Sequence, residues 1–542
     1  MTVSKRLFIV LVIAICVVDV TIRAYDLDRE SFDFDESMTW AHVLSVKGVL
    51  VETILDVHPP LYFLGLSLWR QFTGSSQIAL RAPSVVFSLL TLITLMAFAY
   101  SIHFGSRRIN ALIVGLLFCF LPYDIFLSRF ARSWTMMVFL CALHSFLYLR
   151  AANKSETLPF VWSCAVGLLA VYTHYLGILS VFSTMAAATL ANPSRRNVIF
   201  AGISLAAICV MFVPWALVLP IQMLVKAGCP HFSNIGNSST EAFLGIINPG
   251  RYNLDDSYLP WGPLYLMGLG ASLAAVGIVL ANIKQLLKVY WTRALLIQEF
   301  LLILLFTLSP TPLLNEKTLC VVLPPALVLL SFCLTDHCLT GKRLPLIASL
   351  GFIFMFCTIS VAGFPYPSGR SGWREVCRSI TAILPTCERP IVLLSHTEEI
   401  LPLQYHQSRG EGTHINEVWV PLNSVGILLH PYGRGVRLRI ADNPLPPILG
   451  ARGGPVSEEG VLWFVNYLFE TNPEISDILY IRKGSGDLFW HSVSGPVNLM
   501  HLASLARFTM YRIGRFSGHV VYRIKPFHAS ASTNPQQRAT RQ

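Results

Sequence analysis

From position 157 to 194 the chain reads TLPFVWSCAVGLLAVYTHYLGILSVFSTMAAATLANPS, without a single Asp, Glu, Lys or Arg. That run is too apolar for a soluble surface and too long for one bilayer crossing, which takes about 20 residues. Thr173-His174-Tyr175 divides it near the middle, so it predicts two spans joined by a tight hairpin. Working outward, uncharged windows recur at 82–106, 109–123, 133–149, 197–225, 257–283, 318–335 and 344–369, while 294–315 is broken only by Glu299. The apolar run from Leu7 follows Lys5-Arg6 like a signal sequence, but no small-x-small cleavage site follows it, so it reads as an uncleaved first span. The count is about eleven transmembrane helices.

Composition agrees. Of 542 residues, 54% are hydrophobic and 13% charged, against about 25% charged in soluble domains. Disorder, collagen, a small disulfide scaffold and a single soluble enzyme are excluded. Lys5/Arg6, Arg107/Arg108, Arg150/Lys154, Arg195/Arg196, Lys284/Lys288/Arg293 and Lys342/Arg343 all fall on one side of the count; the opposite short loops hold Arg129, Arg132, Lys226, Arg251 and Lys317. By the positive-inside rule the N-terminus is cytoplasmic, and an odd number of spans puts the C-terminus outside. The net charge of +11 is thus first a topology signal, and no nucleic-acid partner is expected. The twelve cysteines show no metal-ligand pairing; Cys119, Cys141, Cys164, Cys209 and Cys333 sit inside apolar runs, where burial explains them.

Three regions follow: a transmembrane domain over 1–364, an α/β domain over 365–527 and a disordered polar tail over 528–542. The second has short β-rich runs at 391–395, 418–422, 437–440, 479–483 and 520–524, helix-like stretches at 373–384 and 456–470, and hairpin signals at Ser485-Gly486-Asp487 and Ser517-Gly518-His519. The fold class expected is a polytopic α-helical membrane protein with a C-terminal extracytoplasmic α/β domain.

Chemistry concentrates in the first outer loop, 23–81, which has eight acids against five bases. It carries Asp35-Glu36, then Asp56-Val57-His58-Pro59-Pro60-Leu61-Tyr62, then Leu80-Arg81-Ala82-Pro83-Ser84. A carboxylate at the membrane face can act as general base on a hydroxyl. A second carboxylate beside an imidazole suits a divalent metal or the orientation of a substrate. Pro59-Pro60 permits a helix to begin directly after the polar residues, and Arg81 at the interface suits a phosphate. Taken singly, acids in an outer loop are usually just solvated, and arginines at span ends usually anchor the membrane surface.

In combination and order these motifs resemble the GT-C glycosyltransferases that use polyprenyl-phosphate sugars, most closely the protein O-mannosyltransferase (family 39) and lipid A aminoarabinose-transferase branch. The resemblance continues through Leu127-Ser128-Arg129-Phe130-Ala131-Arg132-Ser133-Trp134 and Tyr172-Thr173-His174-Tyr175-Leu176-Gly177, and Gly372-Trp373-Arg374-Glu375 resembles the opening of the family's outer domain. In detail it covers roughly residues 30–190. It implies Asp35 as general base, Glu36 as its helper, and Asp56, with His58 or His174, where family members hold a metal or bind the donor. Arg81, Arg129, Arg132 and Lys317 become the cations for the donor phosphate, with Arg129 and Arg132, three residues apart, sharing a face if that turn is helical. No cofactor is certain; a divalent metal is the candidate. The chain departs from the family at Asn315-Glu316-Lys317-Thr318-Leu319, where Arg-Tyr is common; Lys317 offers a point charge without the guanidinium fork.

The resemblance implies an integral enzyme of the cell envelope at the plasma membrane. It would transfer sugar to a lipid, glycan or protein acceptor hydroxyl by inverting single displacement. That demands convergence of Asp35 and the cations in one outer cleft. The competing class is a polytopic transporter or lipid-binding scaffold, whose pathway charged residues within the spans would mark. The windows are nearly free of such residues, Glu299 being the main exception, which favours surface chemistry. Cys377 and Cys387, outside in this topology, are candidates to pair.

Overall fold

The computed structural model describes residues 3–54, 56, 58–102, 106–227, 263–308, 318–339, 343–362, 372–387, 390–394, 400–410, 417–419, 437–439, 465, 469, 475–483, 508–516 and 519–526. Lys317, the turn at Ser485-Gly486-Asp487, Ser517 and Gly518, nearly all of 456–470 and the tail lie outside the described residues. The chain forms two compact units, one of residues 1–29 and 38–368, the other of residues 30–37 and 369–542. Residues 30–37, expected with the transmembrane domain, thus cluster with the C-terminal unit.

The first unit is helical. Its helices are α1 (Lys5–Ala24), α2 (Phe34–His42, divided between the units after Ser37), α3 (Val46–Ile54), α4 (Leu61–Thr73), α5 (Gln77–Ser101), α6 (Arg107–Cys119), α7 (Pro122–Ser128), α8 (Trp134–Lys154), α9 (Thr157–Thr173), α10 (Leu176–Ala191), α11 (Arg195–Ala216) and α12 (Leu219–Ala227). Pro263–Ala281, Tyr290–Leu308, Leu323–Leu339 and Arg343–Ala362 follow. Each apolar window holds a helix, and the long run divides at Thr173-His174-Tyr175 as expected. Among the described residues, five helices are long and apolar enough to cross a membrane, and six if α6 and α7, bent by 62° at their break, form one span. Val198, Ile199, Ile203, Val210 and Met211 of α11 are exposed, as are Leu7, Val10, Ile13 and Val17 of α1. Apolar side chains turned outward on long helices mark a surface made for lipid. The chain is a polytopic membrane protein.

Local chemistry starts these helices: the hydroxyls of Ser4, Ser76 and Ser194 accept from the backbone N–H groups of Leu7, Ala79 and Asn197. Polar clamps then fix neighbours, as expected where lipid removes the hydrophobic drive for helix association. Asn110 of α6 donates to the Ala99 carbonyl of α5 at 2.9 Å and accepts from Ser331 at 2.9 Å. Gln298 donates to Ser145 of α8, which shares a hydrogen bond with Thr184 of α10.

Glu299 is not the main ionisable group among these helices. Arg23, wholly buried near the end of α1, pairs with Asp19 at 2.5 Å and Asp124 of α7 at 3.0 Å. It also donates to Ser88 Oγ at 2.7 Å and to the Phe118 and Cys119 carbonyls, both at 3.2 Å. Those carbonyls lie where α6 stops, so one guanidinium answers both acids and caps the break. The first outer segment is likewise no loop: α2, α3 and α4 occupy it, with α4 beginning directly after Pro59-Pro60. Arg70 of α4 donates to the Val43 and Leu44 carbonyls, holding the turn between α2 and α3.

In the second unit a six-stranded mixed sheet runs β3-β2-β1-β4-β6-β5. Its strands are β1 (Pro390–Leu394), β2 (Glu417–Trp419), β3 (Arg437–Arg439), β4 (Asp477–Lys483), β5 (Phe508–Phe516) and β6 (His519–Pro526). β1, β2, β3 and β4 pair in parallel, while β6 runs antiparallel to β4 and to β5. Helix Trp373–Ile383 packs Trp373, Val376, Cys377 and Ile380, a helical stripe, onto Val392, Leu479, Ile481 and Val521 of the sheet. Phe32 stacks on Tyr405 at 4.3 Å, and Ser31 Oγ accepts from the Arg374 amide at 3.0 Å, which fastens residues 30–37 to this unit. Cys377 and Cys387 do not pair: both are free thiols, and Cys387 Sγ contacts the Ile383 carbonyl one turn back in its own chain.

Candidate functional site

The segment between α3 and α4 presents a buried carboxylate and an imidazole two residues apart. Asp56 Oδ2 meets His58 Nδ1 at 3.0 Å, and Arg132 Nη2 approaches His58 Nε2 at 3.4 Å. Arginine has only donors to offer, so Nε2 accepts and Nδ1 carries the proton given to Asp56. Arg132 Nη1 reaches Thr39 Oγ1 at 3.4 Å. Thr39 lies one turn beyond Asp35 and Glu36, which occupy the first turn of α2. Glu36 is fully buried and Asp35 partly so; the Glu36 amide donates to Asp33 Oδ1 at 2.8 Å.

Burial pulls the Asp56 carboxyl toward its neutral form, but His58 in contact with it and the charges of His42 and Arg132 overcome that pull. They hold it well below the ordinary carboxylate range. His174, in the α9–α10 hairpin, meets the opposite balance: burial, reinforced by His58 and Arg132, keeps it well below the ordinary imidazole value. Its Nδ1 accepts the Leu176 amide at 3.1 Å, leaving the proton of the neutral ring on Nε2. His174 packs against His58 at 5.3 Å and Trp134 at 4.6 Å between ring centroids.

Asp56, His58, Arg132 and His174 therefore come together. Of the other candidate cations, Arg81 and Arg129 bond to the turn after α1, and Lys317 lies outside the described residues. Arg81 is buried and donates to the Leu27 carbonyl at 2.7 Å; Arg129 donates to the Tyr25 and Asp26 carbonyls at 2.5 and 3.0 Å. Both hold the turn after α1. Arg129 and Arg132 do not share a helical face, because α7 ends at Ser128 and α8 starts at Trp134; Arg129 bonds to the carbonyls after α1, whereas Arg132 reaches Thr39 and His58. The Asp56, His58 and His174 set does not fit a metal: among the described residues no three His, Cys, Asp or Glu side chains converge for one. Both nitrogens of His58 are engaged, one of them by a cation.

Sequence reasoning missed what holds this cluster. Gln222 of α12 donates to the Thr53 carbonyl at 2.6 Å and the His58 carbonyl at 3.3 Å. Its side-chain oxygen accepts from Tyr175, whose hydroxyl accepts from Trp215 Nε1 at 2.9 Å. A glutamine in an apolar run carries no motif; only its place in an otherwise uncharged window hinted at a buried partner.

No protein-family model and no curated protein matches the chain. Solved structures do. ArnT from Cupriavidus metallidurans matches at TM-score 0.55 and 12% identity, over 95% of this chain and 97% of that one in the apo state, and over 96% and 98% when bound to undecaprenyl phosphate. The archaeal oligosaccharyltransferase AglB from Archaeoglobus fulgidus, in complex with an inhibitory peptide and a dolichol-phosphate, matches at TM-score 0.53 and 11% identity over 88% of this chain and 69% of that one. A structure of the Archaeoglobus fulgidus oligosaccharyltransferase with zinc and sulfate matches at TM-score 0.50 and 11% identity, over 87% and 68%. The chain shares the fold of these ArnT and oligosaccharyltransferase structures over most of its length.

Proposed function

We propose that this chain is an integral-membrane glycosyltransferase that moves a sugar from a polyprenyl-phosphate donor to an acceptor hydroxyl on the extracytoplasmic side. The observation that carries the reading is the buried chain Asp56–His58–Arg132. It supplies an oriented imidazole and a guanidinium at the segment linking α3 to α4, in a fold shared nearly end to end with an ArnT structure bound to undecaprenyl phosphate.

Asp35 takes the acceptor proton as the hydroxyl attacks the anomeric carbon, the bond to the donor phosphate breaks, and polyprenyl phosphate leaves with inversion. Arg132 faces the negative charge growing on that phosphate. Fixed positive groups in a water-poor site are usually the largest catalytic contribution. Asp56 keeps His58 in one tautomer and so fixes the partner of Arg132. Glu36 orients the helix turn that carries Asp35. Arg81 and Arg129 act through the turn they hold after α1. The acceptor belongs to lipid, glycan or protein, with the N-terminus cytoplasmic and the C-terminal unit outside the plasma membrane. His58 serves here by its hydrogen bonds to Asp56 and Arg132, which engage both its ring nitrogens.

The test is incubation of the purified protein with a radiolabelled polyprenyl-phosphate sugar and a membrane extract as acceptor. Free polyprenyl phosphate should accumulate with the native protein and fall at least about 100-fold with Asp35→Asn, the scale of lost general-base catalysis. A carrier releases none, which would remove the reading; near-normal turnover in Asp35→Asn would remove the base assignment alone.

A further inference from the structure

Helices α9 and α11 lie side by side and run the same way. Phe160 stacks on Phe200 at 3.9 Å between ring centroids, Cys164 Sγ meets Ser204 Oγ at 3.2 Å, and the Tyr172 hydroxyl donates to the Met211 carbonyl at 2.9 Å. Their first turns therefore open at one end of the helical unit. Arg196 ties that end together by donating to the Ser155 carbonyl, as Arg293 does to the Ala191 carbonyl at 2.7 Å. The stretches so joined, 150–156, 191–197 and 282–293, hold one acid, Glu156, and Arg150 takes it at 2.8 Å. Lys154, Arg195, Arg196, Lys284 and Lys288 stand exposed there. Lys154 and Arg195 make no hydrogen bond or salt bridge among the described residues.

Directly after this basic rim, the outward side chains of the same two helices are apolar: Leu158, Val161 and Trp162 on α9, Val198 and Ile199 on α11. A cationic rim adjoining a hydrocarbon face asks for an anion and a hydrocarbon chain in one molecule. A free anion answers only the rim. A zwitterionic lipid answers the face, but its headgroup brings a cation of its own and leaves the excess charge unmet. An anionic headgroup is drawn in by each basic side chain near the membrane surface. We propose that this rim binds an anionic phospholipid, its phosphate against Lys154 and Arg195 and its acyl chains along the outward faces of α9 and α11. Arg150, Arg196 and Arg293 are engaged by the loops, and so fix the segments that present the two ligating side chains. The site lies outside the transferase reading and stands without it. In the orientation proposed above, the leaflet concerned is the cytoplasmic one, away from sugar transfer.

The experiment strips lipid from the purified full-length protein in a neutral detergent. It then titrates the protein with phosphatidylglycerol or with phosphatidylcholine of the same acyl chains, counting bound lipid by native mass spectrometry. Phosphatidylglycerol should bind at least about fivefold tighter, the worth of one basic side chain at an anionic surface, and the margin should shrink as salt is raised. Lys154→Gln with Arg195→Gln should erase most of the margin. Lys5→Gln with Arg107→Gln, the same loss of charge at the starts of α1 and α6, should leave it. Equal binding of the two lipids by the native protein overturns the proposal, and that comparison needs no variant to fold. Equal losses in the two double variants overturn it as well, since diffuse surface charge then suffices. Displacement of phosphatidylglycerol by an equimolar amount of inorganic phosphate does the same, by showing that the ligand is a free anion.

Discussion

His58 joins Asp56 on one side of its ring, 3.0 Å from the carboxylate, and Arg132 on the other, at 3.4 Å, so that one imidazole links a buried anion to a buried cation. The Asp56 carboxyl is held well below the ordinary carboxylate range by His58, with His42 and Arg132 adding to it against the pull of burial. A depressed folded value makes Asp56 fully stabilising above its unfolded value of about 3.9, and the contribution fades as pH falls below that and is lost once pH has passed through the depressed folded value. Thermal unfolding of the native protein and Asp56→Asn in detergent should therefore differ by a constant amount between about pH 5 and 8. The gap should narrow in acid below about pH 4. A gap that widens on acidification would contradict the sign.

The Arg23 site predicts an asymmetry between deletion and neutralisation. Arg23→Met leaves Asp19 and Asp124 buried without their cation, which for buried pairs costs about 3–5 kcal/mol. It also uncaps the Phe118 and Cys119 carbonyls where α6 breaks. Replacing all three together, Asp19→Asn and Asp124→Asn with Arg23→Met, removes the uncompensated charges and should recover most of the loss, since such clusters often exchange for neutral packing at little cost. Chemical-denaturant midpoints of the two variants decide it; a triple variant as unstable as the single one would mean the carbonyl caps dominate.

These two sites show what a linear reading can and cannot reach. The hairpin at His174 was legible because a bilayer sets a length: a charge-free run twice that length must fold back. The start of α4 was legible because two prolines restrict the chain before they meet a helix. Arg23 was not, since its partner Asp124 lies 101 residues away and both sit at the edges of apolar windows, where a charge reads as a boundary. The helices α2 and α3 were hidden by their acids, which read as a solvated loop until burial of Glu36 and Thr53 is seen. Strand β5 escaped because its alternation is broken by an irregularity between Arg512 and Gly514. For the site, the residue types around His58 could be named from sequence. Their partners could not, because spacing along the chain says nothing of which guanidinium an imidazole meets.

Gln222, Tyr175 and Trp215 form a line of hydrogen bonds ending on the carbonyls that flank Asp56. If that line positions the segment, Gln222→Leu and Tyr175→Phe should not be additive. Each removes part of the same connection, and coupled neighbours show interaction energies of about 0.5–3 kcal/mol. The double variant should be scarcely worse than Gln222→Leu alone in sugar-transfer rate, whereas either change combined with Arg150→Gln, whose residue bonds Glu156 at the opposite end of α8 from Arg132, should add. Simple additivity of Gln222→Leu and Tyr175→Phe would show two separate effects.

The α9–α10 hairpin offers the sharpest single-methyl test. Gly177 donates its amide to the His174 carbonyl at 2.8 Å, and a Cβ built on it would lie 2.5 Å from the Ala170 carbonyl oxygen, backbone against backbone. No rotamer change relieves such a clash, so Gly177→Ala must part the two helices, at a cost typical of overpacking, about 1–3 kcal/mol. His174 sits in that turn against His58 and Trp134, so the displacement reaches the site as well as the scaffold. Sugar-transfer rate should fall with Gly177→Ala while Gly65→Ala, where an added Cβ meets nothing within 4 Å, leaves both rate and melting temperature near native values. Gly177→Ala with native activity and stability would mean that the hairpin yields to a methyl group without cost, and that His174 is held by its ring contacts and not by the turn.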